Sequence, residues 1–225
     1  MRKKLLPSVV LLVGSLLMAS GAYAGTISIG IQVNGGSIVN EASGSGVATL
    51  SSATVGAFTA KSVTGVDAGS SPPDFTVNGG LESSTGAGTF TLYVTDQNIP
   101  AAGAGVFNSS WGITTVPSGW TLTATTYVDS SNGLFTTTCG TCTKVGTATF
   151  TGNGSSSQHS NPLSLYGPFS ETMVLTFVAT TSSGLTIIVG GDDESFTPVP
   201  EPSTLLLLGA GLVGFVKVTR SKLRR

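Results

Sequence analysis

The stretch Trp120-Thr121-Leu122-Thr123-Ala124-Thr125-Thr126-Tyr127-Val128 decides the fold. Trp120, Leu122, Ala124 and Val128 alternate with Thr121, Thr123, Thr125 and Tyr127. Successive side chains of an extended chain point to opposite faces, so this period of two describes a strand with one dry and one wetter face. Threonine suits the wetter face because its β-branch favours extended backbone and its hydroxyl tolerates water. The same alternation sets Phe90, Leu92 and Val94 against Thr89, Thr91, Tyr93 and Thr95, and it recurs at Met173, Leu175, Phe177 and Ala179.

Outward from these runs, strands are predicted near 26–33, 46–50, 54–63, 74–78, 88–95, 111–116, 119–128, 134–138, 144–151, 171–180 and 185–189. Turn signals such as Asn34-Gly35-Gly36, Asn78-Gly79-Gly80 and Ser130-Ser131-Asn132-Gly133 separate them. Residues 25–200 hold 26 Gly, 30 Thr and 25 Ser, a content that alone would suit a flexible linker. The repeated alternation argues instead for an all-β body over residues 25–191, a single Thr/Gly/Ser-rich β-sandwich of jelly-roll or Ig-like type. No fixed-period repeat is present, which disfavours a β-solenoid.

The chain has 225 residues, a formal net charge of −1 and only 9% charged residues. A nucleic-acid binder would carry excess Lys and Arg, so no nucleic-acid partner is expected. A mean hydropathy of +0.33 likewise excludes a disordered acidic chain. The distribution of charge is more informative. Arg2, Lys3 and Lys4 open the chain, while Lys217, Arg220, Lys222, Arg224 and Arg225 close it. Between them lie only Lys61 and Lys144 against ten acids, which leaves residues 25–200 at −8.

Both basic ends flank apolar runs. Residues 1–24 read as a signal peptide: a basic start, an apolar run from Leu5 to about Met18, and the small-x-small pattern Ala22-Tyr23-Ala24 with cleavage before Gly25. The implied partners are Sec-type export machinery and a signal peptidase, and a retained anchor is the alternative. At the far end, residues 192–204 read as an acidic, proline-rich tether and residues 205–216 as a short transmembrane helix. Residues 217–225 read as a cytoplasmic basic tail. That helix would be about 18 Å long, short of a hydrocarbon core of about 30 Å.

Val199-Pro200-Glu201-Pro202, followed by a short apolar helix and a terminal Arg/Lys cluster, resembles the PEP-CTERM sorting signal of exported bacterial proteins. The segment is also known as the ice-binding protein C-terminal domain. The resemblance covers residues 199–225 and implies processing by an exosortase in the inner membrane. It further implies transient anchoring with the body in the periplasm, delivery to the cell surface or extracellular matrix, and association with exopolysaccharide. A plain C-terminal anchor is the alternative. Gly209-Ala210-Gly211-Leu212-Val213-Gly214 matches the letters of a dinucleotide fingerprint, but no βαβ unit or downstream acid accompanies it. Its glycines suit close packing of a membrane helix instead.

Catalytic chemistry is thin. Cys139 and Cys142 flank a two-residue turn, and in an exported chain they read as a structural disulfide, with a redox pair or free thiols as alternatives. His159 is the single histidine, placed in a loop, and no GxSxG elbow accompanies it. Asp192-Asp193-Glu194 reads as solvated tether rather than a calcium site. The expectation is therefore no enzyme, no cofactor, no metal site and no catalytic residue. The leading function is a structural or adhesive surface protein. A glycan-binding module is the alternative, with Tyr93 and Tyr127 on the wetter strand face as candidate contacts. Ice binding, or hydrolysis by an unrecognised carboxylate pair, ranks below it.

Overall fold

The structure is a computed structural model of the chain and describes residues 25–67, 74–138, 140, 142–182 and 187–198. The expected signal peptide, the motif residues 199–202, the helix 205–216 and the basic tail lie outside the described residues. The regular elements described are all strands. They are β1 (Thr26–Val33), β2 (Val39–Ser45), β3 (Val47–Val55), β4 (Phe58–Asp67), β5 (Asp74–Ser84), β6 (Gly88–Ile99), β7 (Gly103–Ile113), β8 (Trp120–Asp129), β9 (Cys142–Phe150), β10 (Gly154–His159), β11 (Leu163–Leu165), β12 (Phe169–Ala179) and β13 (Ile187–Pro198).

They form two sheets in the orders β2-β1-β6-β12-β8-β9 and β10-β7-β13-β5-β4-β3, with β11 added beside β7. Every pairing is antiparallel. The chain passes between sheets from β5 to β6, β6 to β7 and β7 to β8, then places β12 and β13 between strands already laid down. The sets β5-β13-β7-β10 and β6-β12-β8-β9 are a jelly roll, extended on one sheet by β1 and β2 and on the other by β3 and β4. The expected all-β sandwich is observed in its jelly-roll form.

The alternation acts as expected at β6, β8 and β12. Phe90, Leu92, Val94, Trp120, Leu122, Ala124, Met173, Leu175 and Phe177 join Ile27, Ile29 and Ile31 on the dry face of the first sheet. Phe58, Val63, Phe75, Val77, Trp111 and Ile113 come from the second. Phe58 of β4 meets Trp120 of β8 edge-on across the interface, with ring centroids 6.4 Å apart. Asn34 and Gly35 both have positive φ (48° and 71°), and the Gly36 N–H bonds Val33 O at 3.0 Å, so the expected turn is of the primed type that matches strand twist.

Several expectations need correction. Asn78-Gly79-Gly80 is not a turn but lies inside β5, opposite a register shift between Lys61 and Thr64 on β4. A second shift falls between Val189 and Asp192 on β13. Glycine inside a strand marks a bulge as readily as a turn. Residues 192–198 are not tether but the second half of β13, with 192–195 paired to β5 and 193–198 paired to β7. Residues 134–138 form no strand, and Phe135 sits at φ 52° in the loop between β8 and β9. His159 ends strand β10, opposite Asn108, rather than lying in a loop.

A second apolar cluster closes one end of the sandwich: Ile99, Phe107, Val128, Val145, Leu165, Phe169 and Phe196. The Phe107 and Phe196 rings lie 4.9 Å apart. Gly105 is small because a Cβ there would lie 2.1 Å from the Phe196 ring. Phe196→Ala should therefore cost about 3–5 kcal/mol of stability, read as a lowered urea midpoint with unchanged slope.

Candidate functional site

The end of the sandwich that carries the second cluster also holds both ends of the described chain. The Gly25 N–H donates to Asp67 Oδ2 at 2.6 Å, and Gly25 O accepts from Gly46 N at 2.9 Å. Asp67 stands opposite Phe75 on β5, and Phe75 stands opposite Glu194 on β13, four residues before Pro198. Two strand spacings, about 10 Å, thus separate the rows on which the chain enters and leaves the body.

Buried carboxylates gather at this end. Asp96 (1% exposed) continues the inward series Phe90, Leu92 and Val94, and Glu171 (1% exposed) continues Met173, Leu175 and Phe177 toward the start of β12. The two stand directly opposite each other in the β6–β12 pair. Asp96 Oδ1 has no hydrogen-bond partner. Burial raises the Asp96 carboxyl to about 8, the nearby Asp67 charge adds to the rise, and the Gln97 backbone opposes it. Asp129, also buried, accepts from Ser131 N at 2.9 Å and from Gly133 N at 3.1 Å, and so holds the turn after β8. Sequence reading passed over these acids, although the phase of the alternation already assigns Asp96 and Glu171 to the dry face.

Tyr93 was expected on the wetter face, and it does point away from the core, yet it is only 7% exposed. The loop between β8 and β9 crosses this face and lays Phe135 beside Tyr93, with centroids 5.9 Å apart. The Tyr93 hydroxyl donates to Gln32 Oε1 at 2.8 Å, and the Phe135 N–H reaches Thr95 Oγ1 at 3.3 Å. Tyr127 is half-buried on the same side. Burial and the neighbouring Tyr127 push the Tyr93 hydroxyl above its usual range, so the two rings are neighbours on this face, with Tyr93 covered by the loop. Tyr166, which sequence reading did not single out, is 75% exposed and follows β11. A cleft of about 400 Å³ lies between β7 and β10, lined by Ser110, Gly112, Ser155, Ser156 and Ser157 over the buried Trp111. Cys142 opens β9 opposite Asp129, whereas Cys139 lies outside the described residues.

A family model, the PEP-CTERM protein-sorting motif, matches residues 198–222. The protein carries a PEP-CTERM sorting signal. The motif begins on Pro198, the residue that ends β13. It marks an exported protein that is transiently anchored in the membrane, with an exosortase as its processing partner. The match leaves the jelly-roll body unassigned, and no curated protein matches the chain.

Asp96 supplies a pH test. Its folded value of about 8 lies above the ordinary 3.8, so the folded state holds its proton more tightly than the unfolded state. Stability contributed by the protonated form is complete below about pH 4 and lost as pH rises through about 8. A chain in which Gly25 is still joined to Ala24 should lose stability over this window. Asp96→Asn should flatten the profile, as measured by urea midpoints at stepped pH.

Proposed function

We propose that this is a non-enzymatic surface or matrix protein whose jelly-roll body is displayed by way of its PEP-CTERM signal, in association with exopolysaccharide. Export through a Sec-type route removes residues 1–24, so that the mature chain starts at Gly25. An exosortase then processes the chain around Val199-Pro200-Glu201-Pro202 and frees it from the helix 205–216 and its basic stop at Lys217, Arg220, Lys222, Arg224 and Arg225. Cys139 and Cys142 form a disulfide on the oxidising side of the membrane.

One observation carries this reading: β13 sits in the middle of its sheet and runs directly into the sorting motif, while Gly25 enters at the same end. A body with both attachments at one end can stand off a membrane from that end and leave the rest of its surface to the outside. A processing site beyond Pro198 also leaves β13 and its Phe196 in the released protein. Intact mass of the released protein should give a start at Gly25 and an end near Pro200–Pro202, less two hydrogens for the disulfide. A terminus at Arg225 in all mature material would refute processing.

Glycan binding is the second reading, favoured by Tyr166 and by the serine-lined cleft between β7 and β10. Exposed aromatic rings stack on sugar faces, and hydroxyl rows exchange hydrogen bonds with them. Retention of the released protein on exopolysaccharide from the producing cells should fall several-fold in Tyr166→Ala, with a smaller loss in Tyr127→Ala. Equal retention of both variants would remove these rings from any glycan contact.

A further inference from the structure

Gly25 is built into the body more tightly than a residue at the edge of a processing site requires. It is buried, its N–H reaches Asp67 Oδ2 at 2.6 Å, and its Cα lies against Asp96. A Cβ at this position would fall 2.0 Å from Asp96 Oδ1 and 2.8 Å from Gln97 O. Any side chain would therefore displace the buried carboxylate or the β6 backbone. Asp96 Oδ1 is the atom left without a hydrogen-bond partner. An amide N–H at residue 25 offers one donor, already given to Asp67. The site has two carboxylates, one of them unsatisfied, and a single neutral donor between them.

Hydrolysis after Ala24 changes that donor. The Ala24–Gly25 carbon–nitrogen bond breaks, water supplies the hydroxyl to the Ala24 carbonyl carbon and a proton to the Gly25 nitrogen, and a further proton makes an α-ammonium near neutral pH. We propose that Asp67 and Asp96 form a binding site for the α-ammonium of Gly25, so that removal of the signal peptide completes the fold. The inference rests on the processing reading above and goes beyond it. One N–H keeps the Asp67 bond, a second satisfies Asp96 Oδ1, and the positive charge sits directly against the buried Asp96 carboxylate. Glu171 faces Asp96 from β12, so the ammonium adds a cation at a corner where three acids converge. The buried carboxyl, raised to about 8 while the nitrogen is an amide, becomes an ionised partner once the nitrogen is charged.

Amine labelling of the exported, processed protein tests this. A free α-amine titrates near 7.7–8.0 and lysine near 10.4, so at pH 7 the unprotonated, reactive fraction of an accessible α-amine exceeds that of lysine by roughly 200–400-fold and such an amine labels first. In the mature protein the Gly25 amine should instead label more slowly than the exposed Lys61 and Lys144, as read by peptide mass mapping. In Asp96→Asn it should become the fastest-labelled amine. Asp67→Asn serves the same purpose should the first variant not accumulate. Preferential labelling of Gly25 in the unaltered protein would overturn the ammonium site while leaving processing intact. Intact mass showing a start other than Gly25 would overturn both, and the two failures are thus told apart.

Discussion

The fold depends on the placement of its last two strands. β12 lies between β6 and β8, and β13 lies between β5 and β7, so each sheet is continuous only once its own late strand has arrived. Asp193 of β13 pairs with Thr76 of β5 across more than a hundred residues, and such a pairing closes a loop whose entropy is recovered late. The residue that ends β13 is also the first of the sorting motif. The body can therefore be complete only when synthesis has reached the signal that anchors it. A processing site even a few residues earlier would remove Phe196 from the cluster that seals the end of the sandwich.

What was legible in the sequence was decided by where apolar residues alternate. β6, β8 and β12 could be read because a large apolar side chain returns at every second position, although only β8 alternates in burial while β6 and β12 are covered on both faces over much of their length. β2 and β10 could not, because Val39–Ser45 and Gly154–His159 are mostly exposed and carry no apolar series. They are held mainly by backbone pairing, with Ala42 of β2 packed against the core and β10 tied to β9 by Gln158. Its amide accepts from Thr147 N at 2.9 Å and donates to Thr147 O at 2.6 Å, and so stands in for a strand neighbour at the open corner. Gly79 reads as a turn when it lies at a bulge, since both uses need a residue free of Cβ constraint. Tyr93 was placed on the right face but not at the right depth, because period two says nothing about a loop laid over that face.

The candidate site was less legible than the fold for a related reason. Asp96 and Glu171 are in phase with the core, yet an isolated acid in a threonine-rich strand reads as ordinary polarity. Only the register shows that they stand opposite each other, and only the third dimension brings Asp67 from β4 and Gly25 from before β1 to the same corner. The sorting signal shows the opposite behaviour. Its match rests on the order of residues 198–222 alone, so it could be read from the sequence.

The scarcity of charge now has a structural meaning. Across the sheets, polarity is carried by threonine pairs: Thr54 with Thr59 at 3.0 Å, Thr125 with Thr147 at 2.9 Å, Thr123 with Thr149 at 3.2 Å and, buried, Thr95 with Thr172 at 2.9 Å. Such cross-strand pairs contribute about 0.2–1 kcal/mol each and, being uncharged, are not weakened by salt as surface ion pairs are. The body thus keeps its surface interactions in a form that ionic strength does not screen. Its buried carboxylates are held at the one end where the chain enters and leaves, inside the protein and away from screening ions. There a charge interacts strongly, and the group that can answer it is the one that processing creates.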